Sequence, residues 1–392
     1  MLRLTKLTVF GYGFRAMFLL ASLWSSVAIA TWLVMLSTGT GAAVIAPVTP
    51  QAWHGHEMIF GFAGAAIAGF LLTATPNWTG TPPLAGPPLV ALAAAWCVAR
   101  LAFLAPVPAH LIAAAVADAL FSALLAWAVV PRLWRQAGAW NRLAAAIVGA
   151  YVAANLTFWV AIFAPSVLDP RAVLYASVDL VLLLISHVTG RLVPVFMKRD
   201  LKSDDPRLAV EPRGVGASVE LSVAALALLD LAAPASRAAG VACVVAGVAA
   251  AARLWCWLSP LVLRKPLLWV LQLGQMLLAL GFAGRGLAHF SGALRDSTAL
   301  HLLTMGGMGL LILGIMSRAS LGHTGRPLAL PAGTCAAYAL VLLATAVRVT
   351  ADSWSFQAAT HGAGALWIAA FAIFAVRFLP ILLAPRVDGR PG

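Results

Sequence analysis

Residues 53–62 read WHGHEMIFGF and open an apolar run that continues to Leu72. His54, His56 and Glu57 put two imidazoles and a carboxylate within four positions, donor types that suit copper, iron or zinc. A His-x-His pair chelates one ion where the backbone is extended or just turning into a helix. Inside a helix, residues two apart do not share a face, so one ring would meet a site and the other a second metal or solvent. Glu57, three residues after His54, is spaced to orient that ring or relay a proton. A carboxylate at a helix N-terminus is also favoured by the helix dipole alone.

Other donors group by spacing. His301 begins a stripe with Met305 and Met308, whose thioethers favour Cu(I) and can serve haem iron axially. His301 and His323 are 22 residues apart, about 33 Å along a helix, and cannot share a metal. His54 and His301 both start apolar segments on one side of the expected membrane and form a candidate outer station, with metal ligands His54, His56, His301 and Glu57. At the other face His187 and Arg191, Arg318 and His323, and Asn77 and Trp78 form an inner station. Its arginines are placed either for haem propionates or as headgroup anchors. His110, His289 and His361 read as ordinary interfacial histidines, and Asp118, Asp179 and Glu220 as acids inside apolar segments. Such acids are costly in a membrane and serve either a proton path or a helix-bridging hydrogen bond.

The elements that must carry these residues are membrane helices. The chain is 62% hydrophobic and 10% charged, against about a quarter charged in soluble domains. Twelve apolar segments are long enough to cross a bilayer, at 15–36, 57–75, 88–105, 109–131, 143–164, 171–193, 216–234, 239–258, 267–288, 297–317, 329–350 and 360–384. The expected fold is an all-α polytopic membrane protein of about twelve transmembrane helices. It forms one membrane domain over 1–392: helices 1–6 at 15–193, a cytoplasmic loop at 194–215, and helices 7–12 at 216–384. With both termini cytoplasmic, 20 of the 26 Lys and Arg residues fall on the inner side and 6 on the outer, the positive-inside pattern. The net charge of +13 is thus a topology signal and gives no reason to invoke nucleic acid. The N-terminal apolar run continues past Ala28-Ile29-Ala30 to Leu36, longer than a signal-peptide core, so it reads as a retained helix. All four cysteines fall in predicted helices and no Cys-x-x-Cys-His occurs, which excludes covalent c-type haem. No phosphate cradle or Ser-His-Asp arrangement is present, and no motif of the first half is echoed in the second.

The runs WHGHEMIFGFAGAAIAGFLLTATPNWTG and HLLTMGGMGLLILGIMSRASLGHTGRPL, with GRLVPVF, PLLWVLQLG and the closing PRVDGRPG, resemble the NnrS family of bacterial inner-membrane proteins of the nitric-oxide response. The resemblance spans the whole chain. It implies twelve helices, non-covalent haem b and copper, and a role in nitrosative stress, often beside denitrification. His54, His56, Glu57, Asn77, Trp78, His301, Arg318, His323 and Arg326 stand on its motif positions. Gln272 and Gln275 depart from the pattern, which often has His and an aromatic residue there. The expected partners are the lipid bilayer, nitric oxide or a related small molecule, and an unidentified electron donor. The competing expectation is an ion- or proton-coupled transporter, metal ions among its candidate substrates, using Asp118, Asp179 and Glu220. A sensor is disfavoured because 194–215 is the only sizeable polar stretch.

Overall fold

The computed structural model describes residues 7–41, 45–107, 109–136, 138–202, 213–234, 236–292 and 294–390. Twelve helices follow in order: α1 Gly13–Thr38, α2 Pro50–Thr79, α3 Pro87–Leu104, α4 His110–Arg135, α5 Ala139–Phe163 and α6 Pro170–Leu201, then α7 Arg213–Ala232, α8 Arg237–Trp257, α9 Pro266–Ser291, α10 Asp296–His323, α11 Thr334–Val349 and α12 Phe356–Leu383. Eleven of them are long and apolar enough to cross a membrane, and α11, at 16 residues, is shorter. The protein is an all-α polytopic membrane protein, as its composition requires.

Burial is inverted relative to a soluble fold. Val116, Leu221, Leu228 and Trp255 are more than 60% exposed, while Arg15, Arg100, Arg253 and Arg285 are at most 1% exposed. That distribution fits a hydrocarbon solvent, in which polar groups must find partners inside the protein. It also corrects the charge tally. Arg15, Arg253 and Arg318, counted in the expected inner set, and Arg100, Arg285 and Arg348, counted in the expected outer set, are buried within helices. Their depth is set by partners and not by the topology rule. Without them the bias is seventeen against three.

Several helices start or end away from their predicted limits, among them α10, which runs past the predicted 317 to His323 and so contains Arg318 and His323. α2 begins at Pro50, where the Thr49 side chain accepts from the Ala52 amide at 3.2 Å. This cap and the N1 proline lie seven residues ahead of the predicted start, so His54 and His56 are already helical. At its other end α2 runs through Pro76 to Thr79 and stops at Gly80, φ 66°, which places Asn77 and Trp78 inside the helix and not after it. α6 continues through Pro194 to Leu201, consuming the first part of the expected loop. Residues 203–212 of that loop lie outside the described residues.

The chain divides into two compact units, one of Met1–Ser177, Met316–Pro331 and Phe371–Gly392, the other of Val178–Ile315 and Ala332–Ala370. A local design recurs in both, although no sequence motif of the first half is echoed in the second. In α2, His56 precedes a seven-residue π-helical stretch, Glu57–Ala63, after which Gly64 resumes the α-helix. In α10, His301 precedes Leu302–Met308 in the same geometry, and Gly309 resumes. Gly61 and Gly306, Gly64 and Gly309, and Gly69 and Gly314 stand 245 positions apart, like the two histidines. So do Gly80 and Gly325, both with left-handed φ, at 66° and 71°. The neighbours match too. A Cβ on Gly69 would meet Phe18 of α1 at 2.7 Å, and one on Gly314 would meet Val270 of α9 at 2.9 Å, in each case on the helix just before. Gly61 faces α1 and α3 through Trp24 and Arg100, and Gly306 faces α9 and α11 through Leu277 and Thr345. π-helical turns are rare and concentrate at functional sites. Here each one follows a histidine.

Candidate functional site

In the first unit, α1 to α5 converge on an ionic cluster with no solvent exposure at His56, Glu57 or Asp118. The His56 ring has a partner on each nitrogen. Nδ1 is 2.9 Å from Glu57 Oε1, while Nε2 is 3.1 Å from Asp118 Oδ2 and 3.2 Å from Asn155 Oδ1. Arg100 NH2 donates to Asp118 Oδ1 at 2.5 Å, and its Nε lies 3.4 Å from Glu57 Oε2. The indoles of Trp24 and Trp159 donate to Glu57 Oε2 at 2.8 Å and Asp118 Oδ2 at 3.1 Å. Asn155 Nδ2 donates to Ser122 Oγ at 3.0 Å, fixing the amide orientation. Two carboxylates thus face one guanidinium and one imidazole, and the formal charges cancel when the imidazole is protonated. The rings of Phe60, Phe103, Phe158 and Trp159 surround His56 at centroid distances of 4.5–5.4 Å. They close the cluster to water.

The π-helical stretch helps make room for this cluster. A Cβ on Gly61 would fall 2.7 Å from Trp24 Nε1 and 3.0 Å from Arg100 NH1, and one on Gly64 would fall 3.0 Å from the Tyr151 hydroxyl. Tyr151 donates to the Ile59 carbonyl at 2.9 Å, and Trp96 Nε1 donates to the Gly61 carbonyl at 3.1 Å. Backbone carbonyls of the π-helical stretch, which lack the usual i+4 donor, are taken by side chains.

The second copy of the motif is chemically different. Leu302 stands where α2 has Glu57. Nδ1 of His301 donates to the Ser297 carbonyl at 2.6 Å. Arg348 of α11, a buried cation, acts on His301 electrostatically. With Nδ1–H committed to a carbonyl, the neutral ring presents the Nε2 lone pair, the tautomer of a metal-ligating histidine. Gly306, Gly307 and Gly309 do not leave a slot beside it. A Cβ on these glycines would run into Thr345, Leu278 and Trp367, at 3.0, 2.3 and 2.6 Å. In this unit the glycine stripe serves close helix packing.

The other sequence-predicted residues separate. His54 is helical and half-buried, with its ring stacked on Trp32 at 4.7 Å and 17°. His54 and His56 therefore do not form an extended chelate, and Glu57 serves His56 and Arg100. In the first unit, Asn77 is exposed and donates to the Thr73 carbonyl at 2.9 Å, and Trp78 packs on Phe70 and Trp140. Arg318 is buried, and His323 lies against Phe14 at 5.7 Å while its carbonyl accepts from Arg386 at 2.7 Å. In the second unit, Nδ1 of His187 meets Glu220 Oε1 at 2.7 Å, and Arg191 is exposed. Met305 is half-buried and Met308 buried. Gln272, at a departure from the family pattern, donates to the Trp257 carbonyl at 2.6 Å, and Gln275 donates to Thr189 Oγ1 at 2.8 Å. Among the described residues no three His, Cys, Asp or Glu side chains converge as a metal site.

Sequence reasoning singled out Arg191 and Arg318 but missed Arg15, Arg100, Arg253 and Arg285. Arg100 joins Glu57 and Asp118. Arg285 of α9 lies 2.8 Å from Asp230 Oδ2, 3.2 Å from Asp296 Oδ1 and 3.4 Å from Asp179 Oδ1. Arg253 of α8 donates to the Ser186 carbonyl of α6 at 2.9 Å, and NH1 of Arg15 to the Leu382 and Ala384 carbonyls at 2.8 and 2.7 Å, closing the end of α12. The available signal was an arginine inside an apolar helix in a chain that also carries buried acids.

A protein-family model described as NnrS protein matches residues 8–386. No curated protein matches the chain.

Proposed function

The chain belongs to the NnrS family, and we propose that it is a haem-containing protein of the bacterial inner membrane that binds or turns over nitric oxide and so relieves nitrosative stress. The observation that carries this reading is His301, at the start of a π-helical stretch, with Nδ1 anchored on the Ser297 carbonyl and no carboxylate at the next position. That donor fits an axial haem ligand. His56 does not fit one as it stands, because both its ring nitrogens are engaged by acids and an amide. Copper, the second metal of the family resemblance, asks for two or more soft or imidazole donors at one point. Metal analysis of the purified chain tests the copper part of the reading. Bound haem would supply an iron centre for nitric oxide. The chain's own part is to fix the His301 tautomer through the Ser297 carbonyl. The His56–Glu57–Arg100–Asp118 cluster holds α2, α3 and α4 together as a frame.

The runner-up is a proton- or ion-coupled transporter. Asp118, Asp179 and Glu220 are each held by a cationic or imidazole partner, an arrangement that coupling sites also use. Optical spectra and metal analysis of the purified full chain from haem-replete cells test the first reading. A Soret band should be present, reduced in His301→Ala and unchanged in His361→Ala, with His54→Ala and His56→Ala reporting on the other motif. Absence of the band sinks the haem reading, and acid-dependent substrate uptake in liposomes would replace it with the transporter.

A further inference from the structure

The second unit holds a charge cluster whose donors and acceptors do not balance. Asp179 of α6, Asp230 of α7 and Arg285 of α9 are at most 1% exposed, and Asp296, the first residue of α10, is 36% exposed at its side chain. One guanidinium serves three acids. It reaches Asp230 through Oδ2, Asp179 through Oδ1 and Asp296 through Oδ1. The second oxygens of the two buried acids, Asp179 Oδ2 and Asp230 Oδ1, are buried and accept no hydrogen bond. Both carboxyl groups lie on the same guanidinium, and Asp230 acts on Asp179 as a charged and hydrogen-bonding neighbour. The further charged or titratable group at the site is the Cys243 thiol of α8, which senses Arg285 and the three acids.

Two ionised carboxylates are acceptors only and cannot satisfy each other, whereas one proton between them turns an opposed pair of acceptors into a hydrogen bond. The buried subset of two acids and one arginine carries one excess negative charge, and a single proton cancels it. In a membrane interior that cancellation is strongly favoured. A metal cation is a poor alternative, because the Arg285 guanidinium already lies within 3.4 Å of both acids and would repel it. Asp296, on the same guanidinium and 36% exposed at its side chain, puts the edge of the cluster at the protein surface.

We propose that Asp179 and Asp230 form a proton-binding carboxyl pair, sharing one proton between Asp179 Oδ2 and Asp230 Oδ1, with Arg285 compensating the remaining charge. The site is separate from His301 and does not rest on the haem reading. Redox or transport chemistry in this membrane protein would draw on it as a proton store.

Asparagine is the discriminating replacement. Its amide N–H supplies permanently the hydrogen that the proton supplies, and Asp179→Asn or Asp230→Asn leaves one carboxylate for Arg285. The full chain in lipid nanodiscs is studied by infrared spectroscopy and thermal unfolding at neutral and alkaline pH. The wild type should show a protonated-carboxyl C=O band that shifts in deuterium oxide. Both single variants should lose that band, and Asp296→Asn should keep it. Wild-type thermal stability should fall on alkalinisation, and that of the two variants should not. Failure of either variant to fold overturns the proposal, since the amide should mimic the protonated acid. So does a wild type without the band, a band that survives both substitutions, or stability that follows sodium or divalent ion concentration at constant ionic strength and pH.

Discussion

Arg100→Met is the sharpest test of the first ionic cluster. The guanidinium is 1% exposed and lies 2.5 Å from Asp118 Oδ1 and 3.4 Å from Glu57 Oε2. Replacing it leaves both carboxylates buried with His56 as their sole cationic neighbour in the cluster. Breaking a buried pair by removing one partner costs about 3–5 kcal/mol. Asp118→Asn is gentler: the amide oxygen still accepts from Trp159, and Arg100 keeps Glu57, so about 2 kcal/mol is expected from the lost charge-assisted bond. The double variant has the same net charge as the wild type. Its cost should fall short of the sum by about 2–3 kcal/mol, the coupling of groups in direct contact. Equilibrium unfolding of the full chain in sodium dodecyl sulfate, followed by tryptophan fluorescence, measures all four corners. Additivity to within about 0.5 kcal/mol, or a loss below about 1 kcal/mol for Arg100→Met, would refute the view that these charges form one unit.

Gly61→Ala should cost about 1–3 kcal/mol in the same assay, because its Cβ would meet Trp24 Nε1 and Arg100 NH1 at 2.7 and 3.0 Å, whereas Gly149→Ala, with open space around it, should be neutral or stabilising. At the C-terminus, Arg386 binds both Asp388 and the His323 carbonyl, and this pairing lowers the Asp388 carboxyl to about 2. A lowered carboxyl adds stability above the ordinary aspartate range and loses it as pH falls through about 2, so proteolytic protection of the C-terminus should fade with acidification in wild type and be weak at every pH in Asp388→Asn. His301→Ala should lose haem without loss of fold, judged by monodispersity. Equal haem in wild type and variant would remove His301 as ligand.

Much of the architecture follows from local pattern. Hydropathy and segment length are properties of neighbouring residues, so they were enough for twelve helices, a membrane environment and, through long motif runs, the family. The histidines that open the π-helical stretches, His56 and His301, were also visible as motif residues. Their environments were not. His56 is held by Asp118 and Asn155, 62 and 99 positions away, and Arg285 gathers acids 11, 55 and 106 positions away. The separations follow no helical period, and an arginine inside an apolar segment does not name its partner. The repeated glycines had a fixed offset in the sequence, but their meaning lay in what each packs against, Phe18 or Val270, Trp24 or Leu277. Hydropathy placed the charged residues in the membrane. Only the tertiary structure decided which of them neutralise one another, because burial in a medium without water makes every charge depend on partners that the chain brings together from afar.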